Sequence, residues 1–208
     1  MDVRSLAREE RADFADFLET LSPEQWDAPT LCAGWNVRDV VAHVVSYDEL
    51  GGRQLAQRLV RAGLSLKRSN EIGLAEYRVR APEDLIGVMR RNPQPGRTLG
   101  AFGGMVGFLD GLIHQQDIRR PLSLARTIPA VRLRRALELS LRAPPIGVPR
   151  RLTGLRAVAT DVDWTAGKGI EVRGPAEALL LALAGRRAAA DDLSGPGLDV
   201  LISRTTVV

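Results

Sequence analysis

The sequence is poor in the residues that cross-link a chain or carry it across a membrane. Cys32 is the only cysteine in 208 residues, which excludes an intramolecular disulfide and is typical of a reducing compartment. No apolar run approaches the roughly 18 residues that span a bilayer. The first residues, MDVRSLAREERADF, are charged where a secretory signal would be apolar. We therefore expect a cytoplasmic protein that does not bind membranes.

Lysine and aromatic residues are also scarce, which argues against a nucleic-acid partner. Lys67 and Lys168 are the only lysines among 29 basic residues, and the arginines are scattered between acidic residues. Aromatic residues make up 4% of the chain, so few side chains could stack on bases. The net charge of +4 and the pI of about 9.9 are therefore attributed to arginine-rich composition, and no nucleic-acid partner is expected.

The residues that are abundant predict a helical protein. With 45% hydrophobic and 26% charged residues, the composition is typical of a soluble globular chain with one core, or a larger and a smaller domain. Apolar residues recur at helical spacing through the first two-thirds. The predicted helical segments are SLAREERADFADFLETL, a short one from SPEQW, NVRDVVAHVVSYDELGGRQLAQRLV, APEDLIGVMRR, AFGGMVGFLDGLIHQQDIRR and PAVRLRRALELSLR.

The pattern changes near APPIGVPRRLTG. The following LRAVATDVDWTAGKGIEVRG alternates in polarity and predicts a β-hairpin with AGKG as its turn. PAEALLLALAGRR predicts a short helix and GLDVLISR a final strand. The sequence thus predicts a mainly α fold, with a helical bundle over residues 1–145 and a small α+β domain over residues 146–208.

Three glycines recur at intervals of four in the helix before Pro121. Gly103, Gly107 and Gly111 would share one helical face, although each glycine weakens a helix interior by up to about 1 kcal/mol. Close approach of a neighbouring helix explains them, and a partly irregular segment is the alternative.

The chain has two histidines, and one of them lies among carboxylates. Asp110 and His114 are four residues apart and Asp117 follows three later, so all three can share a helical face. A carboxylate and an imidazole at this spacing can bind one divalent cation, and His43 could complete a three-ligand set with an open position. The spacing also fits a hydrogen-bonded packing histidine at a solvated helix end. It does not show whether His43 faces His114.

Two stretches carry a resemblance to a known family. LCAGWNVRDVVAHVV and DGLIHQQDIRRPL resemble the two signatures of the mycothiol-dependent maleylpyruvate isomerase family, a branch of the DinB-like metal-binding four-helix bundles. The tail, TDVDWTAGKGIEVRGPAEALLLALAGRR followed by LSGPG, is similar to the C-terminal part of many members. The resemblance implies a DinB-like four-helix bundle followed by a small α+β C-terminal domain.

The resemblance also assigns roles to residues. It implies that His43, Asp110 and His114 bind the metal, although the family usually has glutamate at the position of Asp110. Because aspartate is one methylene shorter, it must approach more closely, bind through water or fail to bind. Asp117 is expected to support a ligand from behind or to substitute for one, and Trp35 to form a wall of the pocket.

The implied activity is that of a metal- and thiol-dependent transferase or isomerase. The metal would be zinc, or nickel, and it would activate mycothiol or a similar low-molecular-weight thiol toward a small electrophilic substrate. The alternative is a non-enzymatic module that binds a metal or small ligand and keeps the fold. Under either reading two copies could pair through their helices as a homodimer.

Cys32 and four C-terminal arginines are further candidates for a functional role. Cys32 has no histidine or base beside it in sequence, so we interpret it as a buried packing cysteine, not a nucleophile. Several C-terminal arginines could bind a thiol or an acidic substrate, with surface solubility as the alternative. These are Arg173, Arg186, Arg187 and Arg204.

Overall fold

The computed structural model of the chain describes residues 2–94 and 104–205, and it is mainly helical. By contacts the chain divides into two compact units, Met1–Leu124 and Ala125–Val208. The helices of the first unit are α1 (Val3–Glu19), α2 (Val37–Val45), α3 (Gly52–Arg61), α4 (Leu66–Tyr77), α5 (Pro82–Arg91) and α6 (Met105–Arg119). A short 3-10 helix, Glu24–Asp27, lies between α1 and α2.

Within the described part of the first unit, four of these helices form a closed bundle. Their packing runs from α1 to α6, from α6 to α2, from α2 to α5 and from α5 back to α1. The apolar faces of these helices meet in one core. Its large buried side chains include Phe14, Phe17, Leu18, Trp26, Val37, Val40, Val41, Leu85, Val88, Met89 and Ile118. The predicted mainly α four-helix-bundle fold is confirmed.

The residues that the sequence indicates as helix starts occupy capping or first-turn positions in the structure. The Asn36 side chain caps α2 by accepting a hydrogen bond from the Asp39 backbone N–H at 2.9 Å. Ser22 and Gln25 form reciprocal capping bonds before the 3-10 helix. Pro82 occupies the first position of α5, where its missing N–H costs nothing.

Two helical segments differ from the prediction. The long helix predicted from Asn36 onward is wrong: α2 ends at Val45, and α3 begins only at Gly52, the second residue of the Gly51–Gly52 pair. Helix α4 was not predicted, because its buried positions do not form a continuous apolar stripe. They are Ser69, Gly73, Leu74 and Tyr77.

The glycine-bearing helix is regular over its described length, so the irregular alternative is wrong there. Helix α1 packs along it, and a Cβ added at Gly111 would lie 3.5 Å from Cγ of Glu10. This is ordinary van der Waals distance, so the close approach of a neighbouring helix, which was predicted as the reason for the glycines, does not require glycine at position 111. Gly107 is half-buried. Gly103 lies outside the described residues.

The second unit is a small α+β assembly. Its helices are α7 (Ala130–Ser140), α8 (Val148–Leu152), α9 (Ala176–Leu183) and α10 (Leu198–Ile202), and its strands are β1 (Leu155–Ala159), β2 (Thr165–Gly167) and β3 (Ile170–Gly174). Helix α9 is almost wholly buried and packs against α7, α8, α10 and the sheet. Since α7 packs on α9, the structure divides the chain after Leu124, earlier than the predicted boundary between residues 145 and 146.

The described sheet has the strand order β2-β1-β3, which corrects the predicted hairpin. β1 pairs with β2 antiparallel and with β3 parallel, so AGKG does not join two paired strands. It carries the chain across the start of β1, where Gly169 has φ +133° and any Cβ would overlap the carbonyl of Gly154. The predicted final strand is also wrong, since the same residues form α10.

Among the described helices, none is both long enough and apolar enough to cross a membrane.

Candidate metal centre

The two histidines of the chain meet between two packed helices. His43 lies in the last turn of α2 and His114 in the second half of α6. Their ring centroids are 5.1 Å apart, with the rings nearly perpendicular at 78°. The sequence could not show this contact, because it depends on how α2 packs against α6.

Asp110 lies beside both imidazoles, one turn before His114 on α6. Its Oδ1 is 3.4 Å from Nε2 of His114 and 3.9 Å from Nε2 of His43. The three donor atoms all lie within 4.8 Å of one another. The Asp110 side chain is 33% exposed, compared with 14% for His43 and 11% for His114, so the cluster faces solvent on the Asp110 side.

These donors fit a tetrahedral cation. With metal–ligand distances of roughly 2.0–2.2 Å for nitrogen and oxygen, two ligand atoms of such a site lie about 3.3–3.5 Å apart. The separation between Asp110 and His114 matches this range, and that between Asp110 and His43 is a few tenths of an ångström longer. The shorter side chain of aspartate therefore still brings an oxygen within reach of both histidines.

Asp117 lies on the opposite side of the His114 ring. Its Oδ2 is 2.9 Å from Nδ1 of His114, and its side chain is fully buried. A histidine that binds metal commonly donates its other ring N–H to a carboxylate, which fixes the ring orientation. The position of Asp117 therefore suits support of His114 from behind; it does not suit replacement of Asp110.

The charges around His114 shift its protonation equilibrium. Burial by itself lowers the pKa of His114, but the charge of Asp110 and the hydrogen bonds of the ring with Asp110, Asp117 and Cys32 outweigh burial. As a result, the pKa of His114 lies well above its usual value. In the absence of a cation, the imidazolium form is thus favoured between two carboxylates.

Two neighbours complete the surroundings of the cluster. The Trp35 ring lies 5.2 Å from the His43 ring at an angle of 50°, so it covers one side of that histidine. Arg11 on α1 is buried and forms an ion pair with Asp48. Burial lowers the pKa of Arg11, while Asp48 and the more distant Asp110 act in the opposite direction. Sequence reasoning did not single out Arg11.

Cys32 packs against the apolar core, as the sequence interpretation expects, but it also lies beside two polar side chains. It is only partly buried, and its Sγ lies 3.2 Å from Oδ2 of Asp117 and 3.7 Å from Nδ1 of His114. The backbone N–H of Leu31 donates to the Asp117 carbonyl at 3.0 Å, which ties this loop to α6. Cys32 precedes these partners by 82 and 85 residues, so no local sequence signal could reveal the contact.

Comparison with known proteins shows which family the helical bundle belongs to. A profile described as the mycothiol maleylpyruvate isomerase N-terminal domain matches residues 7–119, more than half of the chain. The chain belongs to this family. The matched region contains His43, Asp110, His114 and Asp117, so the whole cluster lies inside the mycothiol maleylpyruvate isomerase N-terminal domain.

Solved structures show the same fold over nearly the full length. A crystal structure of a His-to-Ala mutant of the mycothiol-dependent maleylpyruvate isomerase aligns with a TM-score of 0.59. A second crystal structure of the mycothiol-dependent maleylpyruvate isomerase aligns with 0.53. In both cases the identity is 15%, and the alignment covers 93% of this chain and 91% of the other. No curated protein sequence matches the chain.

Proposed function

We propose that this protein is a divalent-metal-dependent enzyme that uses a low-molecular-weight thiol, mycothiol or a similar one. The reaction would be transfer to, or isomerisation of, a small electrophilic substrate. The observation that carries the proposal is the convergence of His43, Asp110 and His114 within 4.8 Å. Nitrogen and oxygen donors of this kind suit zinc, and imidazole also suits nickel. Membership in the family supports the thiol, and maleylpyruvate is one candidate substrate.

The position of each residue in the cluster determines its proposed role. His43 and His114 would hold the cation through Nε2, and Asp110 would offset part of its charge from the solvent side. Asp117 would accept the Nδ1 proton of His114 and so keep the Nε2 lone pair directed at the site. When bound there, a divalent cation lowers the pKa of a coordinated thiol, and the thiolate is the nucleophile.

Metal content tests the first half of the proposal. Protein purified without a metal-binding tag should carry about one divalent ion per chain, or bind one zinc or nickel ion with a rise in melting temperature. His43→Ala should abolish the binding of nickel, because it removes one of three protein ligands. Asp84→Asn changes an exposed carboxylate on α5 and serves as a control that should bind normally. Equal nickel retention in His43→Ala would overturn the site.

The thiol is tested next, on protein substituted with cobalt. Addition of mycothiol should change the visible spectrum of the cobalt centre, because a thiolate entering the open position alters the ligand field. Consumption of maleylpyruvate should then require both the metal and the thiol. If metal binds through His43 but the thiol changes nothing, the non-enzymatic binding module is the correct reading.

A further inference from the structure

We propose that Cys32, Asp117 and the Nδ1 atom of His114 form a second cation site, selective for thiophilic ions. This site lies on the opposite side of the His114 ring from the cluster with His43 and Asp110. We further propose that an ion at one site excludes an ion at the other. This competition rests on the proposed function, whereas the second site itself does not.

The three donor atoms are arranged as ligands of one ion would be. Sγ of Cys32 is 3.2 Å from Oδ2 of Asp117 and 3.7 Å from Nδ1 of His114, and the last two atoms are 2.9 Å apart. For tetrahedral zinc, with a bond of about 2.3 Å to sulfur, ligand atoms lie roughly 3.3–3.6 Å apart. Each observed separation needs to change by only a few tenths of an ångström.

Charge and burial favour a soft divalent cation at this position. A Cys32 thiolate and the Asp117 carboxylate together neutralise two positive charges, whereas the first cluster offers one carboxylate. Asp117 is fully buried and His114 nearly so, and buried charges are stable only when they are paired. Cys32 is partly exposed, so a cation would reach this site from solvent on the Cys32 side. Thiolate ligands select thiophilic ions over harder ones.

The proton balance explains why the two sites exclude each other. Neutral imidazole carries one proton on one of its two nitrogens. When Nε2 of His114 binds an ion with His43 and Asp110, the proton stays on Nδ1 and is donated to Asp117. When Nδ1 binds the second ion, that proton must occupy Nε2, and the Cys32 thiol releases its proton to solvent. A thiophilic cation would therefore displace the ion of the first site.

Cadmium titration of metal-free protein tests the second site. We expect one Cd²⁺ per chain and a thiolate-to-cadmium charge-transfer band in the ultraviolet, since Cys32 is the only thiol. His43→Ala should keep the band, because it removes only the first cluster. Cys32→Ser should lose the band yet still bind nickel through the first cluster. Cd²⁺ should also protect Cys32 of the unmodified protein from alkylation, a measurement that needs no variant.

Two outcomes would overturn the inference, and each is distinct from failure of the proposed function. Absence of the band together with unprotected Cys32 would refute the second site, even if His43-dependent nickel binding persists. Binding of nickel and Cd²⁺ together, two ions per chain, would refute the exclusion. Conversely, loss of His43-dependent binding with an intact Cys32–cadmium band would refute only the proposed function.

Discussion

The two ring nitrogens of His114 face different neighbours. Nε2 faces Asp110 and His43, whereas Nδ1 faces Asp117 and Cys32. Because these neighbours lie on different sides of one ring, substitutions of Asp110 and of Asp117 remove different contacts of His114.

Asp117→Asn tests support of His114 from behind. An amide accepts the Nδ1 proton less strongly than a carboxylate, so we expect metal affinity at the first cluster to fall about 10–100-fold without complete loss. Competition with a chelator of known affinity measures the change. Asp84→Asn is the matched control on an exposed carboxylate. Unchanged affinity in Asp117→Asn would show that the hydrogen bond does not tune the ligand.

Asp110→Glu tests whether the shorter carboxylate limits binding. The Asp110 side chain is 33% exposed, so a glutamate, which the family resemblance implies at this position, can extend toward solvent. We expect affinity equal to or above that of the natural protein, whereas Asp110→Asn should weaken binding because the negative charge is lost. Isothermal titration with nickel measures both variants. Loss of binding in Asp110→Glu would mean that the backbone spacing requires aspartate.

Tyr77 makes stability sensitive to alkaline pH. Burial and the hydrogen bond that its hydroxyl donates to Glu49 raise the pKa of Tyr77 from 10.0 to about 12. A raised pKa means that the folded state retains the proton more strongly than the unfolded state. Its contribution to stability is thus complete below pH 10 and is lost as pH rises through about 12.

Urea unfolding at pH 8 to 12 checks this prediction. Tyr77→Phe should be less stable at pH 8 by about 1–2 kcal/mol, since it loses a hydrogen bond to a charged group. It should also lose less stability as pH rises than the natural protein does. Tyr47→Phe removes the other tyrosine and should preserve the alkaline loss. An equally steep decline in Tyr77→Phe would assign the pH dependence to another group.

At the scale of elements, two helical glycines should respond oppositely to alanine. A Cβ at Gly73 of α4 would lie 2.8 Å from both Nη1 of Arg58 and Oγ of Ser46, so Gly73→Ala should destabilise by about 1–3 kcal/mol. At Gly111 of α6 the added methyl meets ordinary contact, so Gly111→Ala should stabilise by about 0.5–1 kcal/mol. Thermal unfolding of both variants measures the difference, and the same sign in both would contradict it.

Elements with strong local signals could be predicted from the sequence. Helices α1, α5 and α9 have periodic apolar residues or proline at their starts, and the structure contains all three near their predicted positions. The prediction did not end the helix at Gly51–Gly52, although two adjacent glycines are a local signal for a break. It missed α4 because the buried positions of that helix do not form a continuous apolar stripe. The segment of α10 has β-branched residues that favour a strand locally, and its tertiary context overrides that preference.

The candidate site was predictable only in part, for the same reason. The pair Asp110 and His114 follows from helical periodicity, and the resemblance to the family adds His43. Cys32 could not be found, because only the fold of the loop before α2 brings it to Asp117. Tertiary contacts between residues more than 80 apart leave no trace in local spacing.

At the scale of the molecule, the first unit contains every residue of both proposed sites. It also has its own apolar core. We therefore expect a fragment of residues 1–124 to unfold cooperatively and to bind metal with the affinity of the full chain. A fragment of residues 1–145, which ends at the boundary predicted from sequence, is the matched comparison. Calorimetry and metal titration of both fragments measure this, and loss of binding in each would make the second unit part of the site.

The path of the chain around β1 bears on how copies of this protein could associate. Parallel strands normally need a crossover of a dozen or more residues, but here residues 160–169 connect β1 to β3, and three of these ten residues form β2. The outer edge of β3 is bridged by Ser194 through two hydrogen bonds to Arg173, and β2 has only three residues. Within the described residues, the sheet thus offers another chain only short lengths of unpaired backbone. Edge-to-edge strand addition is disfavoured, and the predicted homodimer would have to form through helices.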